Sequence, residues 1–249
     1  MNVGTHPERI QGDQVNITKI RLQYVGVIVG SLVICGFYQN FDFIKVPFRK
    51  VDQASRSSHA KELMGHAYKG SDAQKAEKIK NLHVSIYSKL YENLPPGYKD
   101  RAVMLAKAVI EESEFYDFDP VLILAMMKTE SKFNPLARGL HGEIGLLQIK
   151  PDTAEWIAER EGLIWKGAES LQDPVTNVHI GMAYINYLRT AFDGSANKYL
   201  SAYNMGARNV RRLYASEQRP QEYSVRVMKN YQEMYSQIMA LQPHKIAAR

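Results

Sequence analysis

The chain has one cysteine in 249 residues, Cys35. No internal disulfide can form, and disulfides say nothing about compartment. There is no HExxH, and the seven histidines are spread from His6 to His244, so no metal site is expected. No nucleotide or flavin motif occurs, and no cofactor is expected. Internal repeats and low-complexity tracts are also missing. The net charge of +6 suits an anionic partner such as nucleic acid, a lipid surface or a cell-wall polymer. The basic residues, however, are scattered among acids without a basic-aromatic stripe, which argues against nucleic acid. A hydrophobic content of 45% and a charged content of 23% are ordinary for a globular protein. The length allows one large domain or two small ones.

Charge is absent from one long run, residues 22–41, LQYVGVIVGSLVICGFYQNF. As a helix it would span about 30 Å, the thickness of a bilayer core. Tyr24, Phe37 and Tyr38 sit near its ends, where interfacial aromatics belong, and Gly26 and Gly30 form a GxxxG pair. A cleaved signal peptide is disfavoured, because no A-x-A-like site follows. A lipoprotein signal ending at Cys35 is disfavoured by the bulky Ile34 before it. A buried core helix fits poorly with the isolated, N-terminal position. A single signal-anchor helix fits best, preceded by a polar tail at 1–21. Basic residues flank it on both sides (Arg9, Lys19 and Arg21; Lys45, Arg49, Lys50 and Arg56), so the positive-inside count does not orient it.

Helical signals dominate the rest. Residues 42–98 read as a linker, broken by Pro47, followed by accessory helices at 61–68 and 72–94. The second carries Ile79, Leu82, Ile86 and Leu90 on one face and is stopped by Pro95-Pro96-Gly97. The main domain is expected over 99–241, with a loose tail at 242–249. Its helices are expected at 100–116, 119–130, 151–161, from 174 to Gly194, at 199–205 and at 221–241. Residues 138–150, RGLHGEIGLLQIK, break helical periodicity and read as a Gly-rich loop or small hairpin. A phosphate cradle there is unsupported, since no strand precedes it and no Lys-Ser/Thr follows. The fold class is therefore mainly α.

The segment 119–131, DPVLILAMMKTES, stands out. Asp119 can cap a helix and Pro120 fits its first turn. Val121 to Met127 is apolar on every face, as in a helix buried all round. Glu130 then lies at its C-terminal end. Burial and the negative end of the helix dipole both favour a protonated carboxyl, which is how a glutamate becomes a general acid near neutral pH. The plainer alternative is a frayed helix end with Glu130 solvated.

Four motifs follow in order: Glu130-Ser131, Gly145-Leu146-Leu147-Gln148, Ala202-Tyr203-Asn204, and Tyr223 in QEYSVRV. With FNPLAR after the glutamate and LQDPVTNVHIGMAYI between, residues 110–238 resemble the soluble lytic transglycosylase (SLT) catalytic domain family, which has a lysozyme-like α domain. The resemblance does not reach residues 1–95. It implies cleavage of the β-1,4 bond between N-acetylmuramic acid and N-acetylglucosamine in peptidoglycan without water, leaving 1,6-anhydro ends. Glu130 would act first as acid and then as base. Tyr223 would hydrogen-bond that carboxylate, Gln148 and Asn204 would bind sugar groups, and Tyr203 would offer a sugar face an apolar platform. Ser131 would secure the helix end. Without the motifs, Tyr203 and Tyr223 read as packing residues, and Gln148 and Asn204 as turn or cap residues. The signal-anchor reading of residues 22–41 would place the chain in the inner membrane, and the activity implied by the resemblance orients it. The catalytic domain would face the periplasm, in general wall turnover or in a secretion or other envelope assembly.

This chain departs from the family pattern at Gly139, where many relatives carry serine, at Leu147 for the usual methionine, and at AYNMG for AYNAG. Two other readings stay open. A goose-type-like muramidase would add water. Such enzymes carry an acid two positions after the glutamine, where this chain has Lys150, and Glu143 is the acid nearby. A non-catalytic peptidoglycan-binding module could instead anchor a membrane assembly. His141 lies in the Gly-rich loop, where solvation or substrate contact would both fit.

Overall fold

A computed structural model of the chain describes residues 49–241. The expected tails, the apolar run at 22–41 with Cys35 and its glycine pair, and the start of the linker lie outside the described residues. Among the described residues no helix is long and apolar enough to cross a membrane. The described part is helical: α1 Gln53–Met64, α2 Asp72–Lys75, α3 Leu82–Asn93, α4 Ala102–Phe115, α5 Pro120–Glu130, α6 Pro151–Glu161, α7 Pro174–Ala191, α8 Ala196–Met205, α9 Ala207–Ala215 and α10 Glu222–Ala240. Isolated antiparallel bridges, Arg138 with Ile144 and Ile144 with Ile149, are the β pairing of the Gly-rich segment.

Helix α5 forms as its sequence requires. The Asp119 side chain accepts from Val121 N, Pro120 fills the first turn, and every residue from Pro120 to Met127 is buried. Each such aliphatic side chain contributes about 1.5–3 kcal/mol by burial. Helix α10 packs on α5 with Tyr223, Val227, Tyr231, Met234 and Ile238, all buried. Helix α7 packs on α4, α6 and α8, and α3 packs on α4 and α5. The apolar face expected over Ile79, Leu82, Ile86 and Leu90 is buried, as are the period-3.6 apolar faces of α7 and α10.

Three local readings differ. The stretch expected as linker down to residue 60 contains α1, capped by Asp52 and burying Arg56, His59 and Ala60. The expected continuous helix at 72–94 is broken: a 3-10 turn at Ala76–Lys78 leads to extended backbone at Ile79, and a new helix starts at Leu82. The break lets Ala73, Ala76, Ile79 and Leu82 all reach the core. Helix α9 was not expected at all. Its apolar stripe is short, Ala207, Val210 and Tyr214 at i, i+3 and i+7, and only Val210 of it is fully buried.

Buried polar groups tie α1 to the start of α5. Asp119 is fully buried, and its Oδ2 accepts from the hydroxyls of Tyr231 and Tyr235, both at 2.6 Å. The equally buried Arg56 guanidinium lies 3.8 Å from that oxygen. It donates to Tyr235 Oη at 2.6 Å and to Ala73 O at 3.1 Å. Burial alone pushes the Asp119 carboxyl up, but this donor set and the neighbouring cation fit a carboxylate. His59 Nδ1 accepts from Asp119 N at 2.9 Å, so the ring proton sits on Nε2, 3.1 Å from Tyr199 Oη on α8. Burial, and then Arg189, hold His59 well below its usual pKa and keep it neutral. Glu62 of α1 also pairs with Arg189 of α7.

Candidate active site

The site begins where α5 runs out. Ser131 donates to Met127 O at 3.2 Å and to Leu146 O at 2.8 Å, fastening the helix end to the Gly-rich segment. The next two residues, Lys132 and Phe133, have φ of +52° and +62°, a costly conformation for side-chain-bearing residues. Phe133 is buried beneath the turn, which holds it.

The Gly-rich segment is shaped from below by Asn177 on α7, which is fully buried. Its Nδ2 donates to Ile144 O at 3.0 Å and Leu171 O at 2.9 Å, and its Oδ1 accepts from Leu147 N at 2.8 Å. Gly145 has φ +84°, and a Cβ there would lie 2.3 Å from both Asn177 Nδ2 and Leu171 O. Glycine is the residue that fits. Asn177 was not singled out from sequence. The signal available was a polar residue on the buried side of an amphipathic helix.

Glu130 lies at one side of a cleft of about 670 Å³, half-buried. The Tyr223 hydroxyl, from a side chain 93 residues away, donates to Glu130 Oε1. Burial raises the carboxyl to about 7; Tyr223 and Arg226 pull it down, and Glu143 pushes it up. The group is therefore near half-protonated at neutral pH, able to give and to take a proton.

Gln148, Tyr203 and Asn204 line the same cleft. Gln148 has φ +47°, and its Nε2 donates to Ala137 O at 3.0 Å and Gly145 O at 2.9 Å. Two carbonyl partners fix the amide orientation, so the face it can offer a ligand is the acceptor oxygen. The Tyr203 hydroxyl donates to Leu147 O at 2.8 Å, leaving its ring at the cleft wall, 5.3 Å from the Tyr184 ring. Asn204 is exposed. Tyr223 and Ser131 stand behind the site and do not line the cleft.

Glu143, His141 and Lys150 also line it. Glu143 Oε2 accepts from His141 N at 3.0 Å, and Lys150 Nζ lies 3.5 Å from Oε1. Burial pushes its pKa up, but the backbone N–H groups and Lys150 bring it below the usual carboxylate value. The carboxylate fills the space beside Gly139: a Cβ there would lie 2.3 Å from Glu143 Oε2. Among the described residues no group of three or more His, Cys, Asp or Glu could hold a metal ion.

Residues 107–225 match the family described as Transglycosylase SLT domain, close to the span over which the motifs resemble it. Membrane-bound lytic murein transglycosylase C of Serratia proteamaculans (strain 568) is 35% identical over 150 residues, covering 57% of this chain and 42% of that protein. The protein of the same name from Edwardsiella ictaluri (strain 93-146) is 33% identical over 154 residues, with the same coverage of 57% and 42%. The chain thus spans less than half the length of these relatives. An inactive mutant of the lytic transglycosylase Slt from Pseudomonas aeruginosa aligns with a TM-score of 0.49 at 18% identity, over 79% of this chain and 39% of that one. A likeness that loose carries no argument about the site.

Proposed function

We propose that this chain is a peptidoglycan lytic transglycosylase with Glu130 as its one acid–base group. The observation that carries the reading is the Glu130 carboxyl, half-buried at the cleft and titrating at about 7 with Tyr223 on one oxygen. The protonated carboxyl gives its proton to the glycosidic oxygen as the bond from C1 of the muramic acid breaks, and N-acetylglucosamine leaves. The substrate's N-acetyl group supports the cationic ring. Glu130, now a carboxylate, takes the proton of the C6 hydroxyl while O6 bonds to C1. The ring closes to the 1,6-anhydro form, the carboxyl regains its proton and no water is consumed. Because Oε1 is engaged by Tyr223, the travelling proton belongs to Oε2. The ring of Tyr203, the Gln148 carbonyl and Asn204 position the sugars.

The same reading gives residues 99–241 as the catalytic domain, anchored through the run at 22–41 with that domain outside the inner membrane. The two relatives are both named membrane-bound lytic murein transglycosylases, which supports an envelope location. A second reading rests on Glu143: a carboxylate lining the same cleft could serve a water molecule, which would make the chain a muramidase.

The test is a digest of purified sacculi by the full-length chain, wild type beside Glu130→Gln, read by mass spectrometry of the released muropeptides. Anhydro products from wild type and none from the variant are expected. Hydrated reducing ends would replace the reading with the muramidase. Retained binding without release would replace it with an anchoring module.

A further inference from the structure

On the other side of the α5 end lies a second groove, of about 510 Å³, bounded by α5, α10 and the end of α3. Neighbouring residues of a helix point about 100° apart: Glu130 lines the sugar cleft, while Thr129 lines the groove. Asn230 Nδ2 donates to Thr129 Oγ1 at 2.8 Å and fixes that wall. Four basic side chains, Lys128, Lys132, Arg226 and Lys229, line it with a single acid, Glu233. Lys128 takes that acid at 2.7 Å. Among the described residues Lys132, Arg226 and Lys229 form no ion pair with a carboxylate. Arg226 and Lys229 are one turn apart on α10, where like charges are unfavourable. Lys132 reaches the groove from the left-handed turn that the buried Phe133 holds. Arg226 and Lys229 act on Glu130 and Glu233 only through longer-range attraction, so the groove carries more positive charge than its one acid offsets.

Resting on the peptidoglycan reading, we propose that this groove binds the free carboxylates of the stem peptide carried by the glycan strand in the cleft. N-acetylated sugars are neutral and give four cations nothing to bind. The stems are the anionic part of the strand, and they branch from the muramic acid at the scissile bond. Arg226 lines the groove and not the cleft, but it lies close behind the catalytic carboxyl: its guanidinium is 5.9 Å from the ring centre of Tyr223, the residue that holds Glu130. The volume suits a short peptide.

The test compares short glycan strands with free stem carboxylates against the same strands with those carboxylates converted to primary amides. For the full-length wild type, kcat/KM on the free-carboxylate strands should be higher by about three- to tenfold, carried by KM, as expected for two exposed ion pairs. Salt at about 0.5 M should remove the difference. The Lys132→Gln/Lys229→Gln double variant should treat both strands alike. A wild type indifferent to amidation, or a variant that keeps the preference, overturns the proposal. So does inhibition by poly(glycerol phosphate) that the double variant loses while amidation has no effect; the groove would then serve wall phosphates. If wild type cleaves neither strand, the enzymatic reading fails. Co-sedimentation of both strands with the Glu130→Gln chain, with and without the two lysine changes, then reads the groove by itself.

Discussion

Glu130→Gln should abolish cleavage and, at alkaline pH, make the protein more stable. The folded chain holds the Glu130 carboxyl at about 7 instead of the ordinary 4.5, mainly through burial. Ionising it in place therefore costs about 3 kcal/mol more than ionising it in the unfolded chain. Below pH 4.5 both states keep the proton, and the two proteins should be equally stable. Between 4.5 and 7 the unfolded state releases its proton while the folded state retains it, so wild type loses stability as pH rises. Above 7 the gap is complete. Glutamine is neutral throughout and can accept the Tyr223 hydroxyl through its own oxygen. Urea unfolding of both proteins from pH 4 to 9 should show curves that start together and separate to about 3 kcal/mol, or about 6–12 °C in Tm for a chain of this size. A constant gap across the range, or wild type gaining on the variant as pH rises, would refute the claim that the carboxyl is held protonated by its burial.

Tyr223→Phe removes the hydrogen bond that favours the Glu130 carboxylate. The alkaline limb of kcat/KM should move up by about one pH unit, since such a bond to a charged group is worth roughly 1.5–3 kcal/mol, and kcat should fall because the carboxylate is a poorer leaving state. Asn177→Ala removes the Asn177 partner of the Leu147 N–H and the Leu171 carbonyl, while Ile144 O keeps Ile149 N at 3.1 Å. It should cost about 2–4 kcal/mol of stability and lower kcat by loosening Gln148, measured by unfolding and by muropeptide release. Arg56→Met leaves Asp119 buried without its cation and should cost about 3–5 kcal/mol. Chemical denaturation of the purified variant reads that loss, which should be larger at pH 8 than at pH 4.

Much of this was open to a sequence reader because it is local. A helix cap at Asp119 and an apolar stretch from Val121 to Met127 are written in adjacent residues, and they deliver Glu130 to a helix end. Period-3.6 faces on α3, α7 and α10 likewise name their own buried sides. What the sequence could not supply is the meeting of residues far apart along it. Asp119 reads as a cap; that it also receives Tyr231, Tyr235 and Arg56 depends on three helices closing on one point. That is why α1, mostly polar in sequence, is part of the core. Asn177 is an ordinary member of an amphipathic helix until the fold sets its amide beneath Leu147; Tyr223 could be assigned to Glu130 only through the motif resemblance, since its own helix periodicity reads as packing. The carboxyl's titration near 7 is likewise a property of the packed chain, because desolvation belongs to the surroundings of a residue and not to the residue.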